Sequence, residues 1–105
     1  MTTEADYLNQ YDASRFPSPL VTVDSVLFTL HQQALCVLLV ERAKQPQKGR
    51  WGLPGGFIDI ENDDSTRTTA LRKLTEKTGV SPSWLEQLDT FSGPNRDPRG
   101  WSLTV

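Results

Sequence analysis

The stretch Trp51-Gly52-Leu53-Pro54-Gly55-Gly56-Phe57-Ile58-Asp59, together with the polar and then periodic segment C-terminal to it, limits the possible folds of this chain more than any other feature. Bulky residues alternate there with glycines and a proline, so strand pieces must be interrupted by tight backbone. From Ser65 the period changes. Ala70, Leu71 and Leu74 fall at helical spacing, Asp63, Asp64 and Ser65 offer capping oxygens and favourable charge for a helix N-terminus, and Gly79 is a C-terminal stop. The chain must therefore pass from a glycine-rich strand region through a polar loop into one helix of about fourteen residues, as its start and stop signals imply.

The flanking segments predict mostly strands. Leu20 to Leu30 is rich in β-branched residues, Ala34 to Arg42 is a second apolar run, and the polar linker His31-Gln32-Gln33 predicts a hairpin or a near neighbour of one. In that linker His31 reads as a solvated turn residue. Cys36 reads as a small buried hydrophobe rather than a reactive thiol. Ala43 to Arg50 is a polar, basic loop. After the helix, Pro82 breaks the chain, Leu85 to Phe91 is expected as a strand, Gly93 to Gly100 as a loop, and Trp101 to Val105 alternates like a strand. An edge strand with nothing after it is a poor end for a domain, so the sequence is expected to be a fragment with its C-terminal part missing. Residues 1 to 18 are polar and end in Phe16-Pro17-Ser18-Pro19; they read as an N-terminal arm with a short helix around Ala5 to Tyr11. Residues 19 to 105 read as one incomplete domain.

Composition narrows the function classes. A chain of 105 residues with 36% hydrophobic and 23% charged residues has room for one modest core, and a net charge of −2 gives no whole-chain case for nucleic-acid binding. The apolar runs are too short for a membrane span, and Met1-Thr2-Thr3-Glu4 has neither basic residues nor an apolar stretch, so the expected location is the cytoplasm. One histidine and one cysteine supply no His/Cys metal cluster.

Gly55-Gly56-Phe57-Ile58-Asp59 followed by Ala70-Leu71-Arg72-Lys73-Leu74-Thr75-Glu76-Lys77-Thr78-Gly79-Val80 resembles the Nudix hydrolases, whose signature is G-x5-E-x7-R-E-U-x-E-E-x-G-U. Trp51-Gly52-Leu53-Pro54 looks like the usual approach to that box. The resemblance implies an α/β fold, an α/β/α sandwich around a mixed sheet, in which helix glutamates hold Mg²⁺ or Mn²⁺ against a diphosphate. It also implies scaffold roles for Asp64, Arg72 and Gly79, with Asp64 pairing with Arg72 to anchor the loop. The loop here is two residues longer than the signature, counted from Gly56.

The departure from that signature can be weighed physically. Positions 73, 76 and 77 share one helix face and can converge on one ion. A hard divalent cation needs several carboxylate oxygens there. The face reads Lys73, Glu76, Lys77, so two carboxylates have become ammonium groups and only Glu76 remains as a weak metal candidate. Each lysine repels a divalent ion by about 1 kcal/mol or more at a surface-like dielectric. Binding of an anion is expected to survive and hydrolysis to be lost, with no cofactor required. If the chain is active instead, the expectation is a Nudix ADP-ribose pyrophosphatase that uses Mg²⁺.

The stretch Asn95-Arg96-Asp97-Pro98-Arg99-Gly100-Trp101, the longer loop, Tyr7-Leu8-Asn9-Gln10-Tyr11-Asp12 and Pro19-Leu20-Val21-Thr22-Val23-Asp24 are similar to ADP-ribose-handling Nudix proteins, among them Nudix-related transcriptional regulators of NAD metabolism. That likeness implies a homodimer that senses ADP-ribose or a related nucleotide and contacts operator DNA through a winged-helix domain beyond Val105. Candidate ligand-binding residues are Arg42, Gly55, Gly56, Phe57, Arg96 and Arg99. Arg96 and Arg99 are either guanidinium forks for a diphosphate or members of a turn salt-bridged through Asp97. Gly55 and Gly56 either admit a ligand or serve a bulge of the fold. Trp51, Phe57 and Trp101 are expected in the core rather than stacked on an adenine.

Overall fold

The computed structural model describes residues 2–105; Met1, the first residue of the expected arm, lies outside them. Thr3 starts the first helix, α1 (Glu4–Gln10), with a capping box in which its hydroxyl accepts from the Asp6 amide at 3.1 Å and the Asp6 carboxylate accepts from the Thr3 amide at 3.3 Å. No residue of α1 is buried. A 3₁₀ turn, Ala13–Arg15, leads from it to the first strand.

The chain then forms β1 (Leu20–Asp24), β2 (Phe28–His31), β3 (Ala34–Val37), β4 (Val40–Glu41), β5 (Trp51–Gly52) and β6 (Gly55–Phe57) before the helix α2 (Thr66–Thr78), and β7 (Phe91–Gly93) and β8 (Ser102–Thr104) after it. The central sheet has the order β6-β1-β8-β7. It is mixed, because β1 runs parallel to β8 and antiparallel to β6. Two small sheets, β2-β3 and β4-β5, lie outside it.

The expected hairpin forms, with different bounds. The apolar run from Leu20 breaks after β1, where the Ser25 amide donates to the Pro54 carbonyl at 2.9 Å, and only β2 pairs with β3. The turn is Gln32-Gln33, both at positive φ, which suits a two-residue hairpin; His31 is the last residue of β2, paired with Ala34, and not a turn residue. Cys36 is half-exposed and not buried; it lies on the two-stranded β2-β3 sheet, separate from the central sheet. The expected strand from Leu85 to Phe91 is also corrected. Among the described residues of this segment, Phe91, Ser92 and Gly93 pair with the three residues of β8, and Leu85 to Thr90 join no strand ladder.

Helix α2 obeys its local signals closely. The Ser65 hydroxyl accepts from the Thr68 amide at 3.2 Å, and Gly79 ends the helix in the left-handed conformation at φ 73°. Its buried face, Thr69, Ala70 and Leu74, meets β6 and β1. With Val23, these residues make a small core. The expected core aromatics are not in it: Trp51 is 65% exposed, Phe57 42% and Trp101 50%. The most deeply buried side chains are Leu74, Thr69, Pro54 and Ser102 instead.

Candidate functional site

The loop between β6 and α2 is built around one carboxylate. The Asp63 side chain accepts from the Asp59 amide at 2.9 Å, the Thr69 hydroxyl at 2.8 Å, and Arg72 Nε and Nη2 at 2.9 and 2.7 Å. Arg72 also reaches the Phe57 carbonyl at 3.2 Å and Glu76 at 3.2 Å. These hydrogen bonds, the Arg72 guanidinium foremost, hold the Asp63 carboxyl well below the usual carboxylate range against the opposing effect of burial. The sequence spacing assigned this partner to Asp64. The structure gives the role to Asp63, nine residues before Arg72, and leaves Asp64 exposed. The reason is the longer loop: the Asp63 amide donates to the Asp59 carbonyl at 2.7 Å, and this turn swings position 63 inward.

Beside this unit lies a groove of about 740 Å³, walled by β1, β4, the strand ends around Gly52 to Phe57, α2 and the β7–β8 loop. Arg42, Gly55, Gly56, Phe57, Arg96 and Arg99 all line it. Six cationic side chains and three carboxylates face the groove, an excess of positive charge in a chain of net charge −2. Such local concentration favours an anion.

Lys77 and Lys73 come from α2. The Lys77 ammonium donates to the Gly55 carbonyl. Burial there, then the nearby charges of Lys73 and Arg42, draw its pKa below the usual lysine value, with Asp24 and Glu76 opposing. The Lys73 side chain lies over Gly56, where an added Cβ would meet its Cε at 2.6 Å. Gly55 is closed in more tightly still: a Cβ there would lie 2.3 Å from both the Val23 carbonyl and the Asp24 carboxylate. Its glycine is therefore required by the approach of β6 to β1.

Glu76 is 49% exposed and engaged by Arg72 at 3.2 Å and Lys73 at 3.4 Å; the Arg72 hydrogen bond is the main reason its carboxyl titrates below the usual glutamate value. A single carboxylate already shared between two cations does not fit a divalent ion. Among the described residues no group of three or more His, Cys, Asp or Glu side chains is placed to hold a metal.

On the opposite wall, Arg96 Nη1 donates to the Ser102 hydroxyl at 2.8 Å, and Arg99 pairs with Asp97 through Nε at 3.0 Å and Nη2 at 2.8 Å. Arg42 Nε donates to the Pro46 carbonyl at 2.6 Å, which ties it to the basic loop. Thr22 and Asp24, which sequence reasoning missed, also line the groove. Their signal was the alternation Val21-Thr22-Val23-Asp24, which puts two polar side chains on one face of a strand whose neighbour Val23 is buried.

A mixed sheet, a glycine-flanked strand and a helix joined by an Arg72–Asp63 anchor define a Nudix-type domain. The chain belongs to the NUDIX domain family, whose profile matches residues 18–104. It is 48% identical over 104 residues, 99% of this chain, to the "ADPR responsive transcriptional repressor NtrR" of Acinetobacter baylyi, and spans 42% of that protein's length. It is 33% identical over 87 residues, 83% of this chain, to an ADP-ribose pyrophosphatase of Methanocaldococcus jannaschii, and spans 48% of it. A solved NUDIX domain of Shewanella oneidensis NrtR, complexed with ADP-ribose, superposes with a TM-score of 0.96 at 57% identity, covering 99% of this chain and 68% of that one. The chain thus spans less than half the length of the two full relatives it matches.

Proposed function

We propose that this domain senses ADP-ribose or a related NAD metabolite for a transcriptional regulator of NAD metabolism, and that hydrolysis has been lost. The observation that carries the reading is the Lys77 ammonium on the Gly55 carbonyl, inside a groove with excess positive charge. A carboxylate at position 77 would be one of the groups that could hold a metal cation on this helix face. Lysine supplies the cation itself, without Lewis acidity. Lys73 adds a second positive charge to the same wall, and the candidate residues Arg42, Gly55, Gly56, Phe57, Arg96 and Arg99 surround the space between. Binding in this reading needs no divalent ion. The repressor and the ADP-ribose-bound domain that the chain resembles support the ligand and the regulatory role.

The reading takes residues 1–18 as an arm and 19–105 as the sensing domain, with DNA contacted by a separate winged-helix domain and the protein acting in the cytoplasm as a dimer. Among the described residues no helix is long and apolar enough to cross a membrane. The competing reading, a pyrophosphatase using Mg²⁺, is favoured by the pyrophosphatase relative and by the intact Arg72 anchor. Titration of ADP-ribose into the full-length protein in EDTA, with chromatography of the same mixture after adding Mg²⁺, separates the two. Metal-independent binding with no product is expected. Product formed at about one turnover per second or faster, the lower part of the usual enzyme range, rejects the sensing-only reading.

A further inference from the structure

Arg99 is held from several directions at the edge of the groove. Its Cζ lies 4.8 Å from the centre of the Phe57 ring, a cation–π distance. Its Nε and Nη2 donate to the two Asp97 oxygens, and its own amide donates to Asp97 Oδ1 at 2.9 Å. The turn is closed by the Gly100 amide on the Asp97 carbonyl at 3.2 Å, with Pro98 between. The Asp97 side chain is 14% exposed, whereas that of Arg99 remains 40% exposed. A guanidinium has five N–H groups, and this side-on pairing uses two of them. Nη1 has no hydrogen-bond partner among the described residues.

We propose that Asp97 is a positioning residue: it pins one edge of Arg99 while Phe57 supports its face, so that the remaining edge is set in advance to receive a phosphate of the bound diphosphate. The inference rests on the diphosphate-binding function proposed for the groove. An arginine on a long flexible stem loses rotamer freedom when it is fixed by a ligand, and prior fixation removes most of that cost at binding. Asp97 also lowers the net charge of the pair, so the opposite arrangement, in which its carboxylate competes with phosphate for Arg99, gives the opposite sign in the test.

The test is a double-mutant cycle on ADP-ribose affinity in the full-length protein, with thermal unfolding of each variant alongside. Asp97→Ala weakens binding by roughly three- to tenfold, the expected cost of immobilising one rotamer-rich side chain. Asp97→Asn keeps an oxygen for the Arg99 amide and Nε but sets an NH2 group against Nη2, so its affinity falls between those of the wild type and Asp97→Ala. With Arg99→Ala in the background, Asp97→Ala adds no further loss. Unchanged or tighter binding by Asp97→Ala overturns the proposal, and so does an equal loss in both backgrounds, the signature of a purely structural role. Absence of ADP-ribose binding by the wild-type protein defeats the functional reading and this inference together, whereas wild-type binding without the coupling defeats this inference alone.

Discussion

Reversing the charge of the helix face is the sharpest perturbation of the groove. In the double variant Lys73→Glu with Lys77→Glu, the lining changes from six cations and three carboxylates to four cations and five carboxylates, so an excess of positive charge becomes an excess of negative. A diphosphate then loses two charge-assisted partners, each worth about 1.5–3 kcal/mol, a total of about 3–6 kcal/mol or roughly two to four orders of magnitude in affinity. Three helix carboxylates, at 73, 76 and 77, now share one face, and a divalent ion gains the oxygen donors it lacks in the wild type. Calorimetry of the full-length variant in EDTA is expected to show ADP-ribose binding weakened at least a hundredfold on that scale, while titration with Mn²⁺ without EDTA is expected to show tighter binding than in the wild type. Metal-free ADP-ribose affinity equal to that of the wild type refutes the assignment of Lys73 and Lys77 to the phosphate wall. An unchanged Mn²⁺ affinity refutes the identification of this face as the metal face.

Neighbouring glycines should respond differently to alanine. Gly55→Ala drives a Cβ into the Val23 carbonyl and Asp24, so strands must shift and about 1–3 kcal/mol of stability is lost, whereas the nearest atoms to a Cβ in Gly56→Ala belong to the flexible Lys73 side chain, which can move; equal urea midpoints for the two variants contradict this. Leu74→Ala, at a fully buried position, should cost about 2–5 kcal/mol, and a smaller shift in the urea midpoint with unchanged m shows that the site collapses around the cavity. Asp97 has its pKa lowered from 3.8 to about 2, chiefly by the Arg99 hydrogen bonds. A depressed carboxylate pKa adds stability that is present above the unfolded value and lost as pH falls through the folded one. The Asp97 contribution should therefore vanish between these two pH values, as a carbon-detected NMR titration of the Asp97 carboxyl in wild type and Arg99→Ala will show; a midpoint that does not rise in the variant removes Arg99 as the cause.

Local chemistry made the helix legible. Ser65, the apolar spacing of Ala70 and Leu74, and Gly79 act within one or two turns, so α2 could be placed from sequence to within a residue or so. Part of the groove was legible for the same reason: glycines before the helix and arginines in a Gly- and Pro-rich loop are local signals that the fold brings together, whereas Thr22 and Asp24 on β1 were missed. What depends on long-range pairing was not. Leu85 to Thr90 has the composition of a strand, but β8 offers only three partners. Trp51, Phe57 and Trp101 have the composition of a core, but all three are exposed while Val23, Ala70 and Leu74 form it. The shift from Asp64 to Asp63 lies between these cases: residue type and approximate spacing were readable, but the geometry of the Asp59–Asp63 turn was not.

The same anchor explains how the helix face can change without loss of the fold. Arg72 ties the loop through Asp63, the Phe57 carbonyl and Glu76, and none of these contacts uses a side chain at 73 or 77. Position 77 nevertheless faces the Gly55 carbonyl. A carboxylate there without its metal would set two acceptors against each other in a partly buried place, a cost that rises as solvent is excluded. Lysine turns that repulsion into a hydrogen bond between α2 and β6, which lies directly against the tight Gly55 approach to β1. In the sensing function proposed for the groove, which needs no metal, a cationic side chain at this position joins α2 to β6 and leaves positive charge in the groove, so one residue type serves both the fold and the proposed binding of an anion.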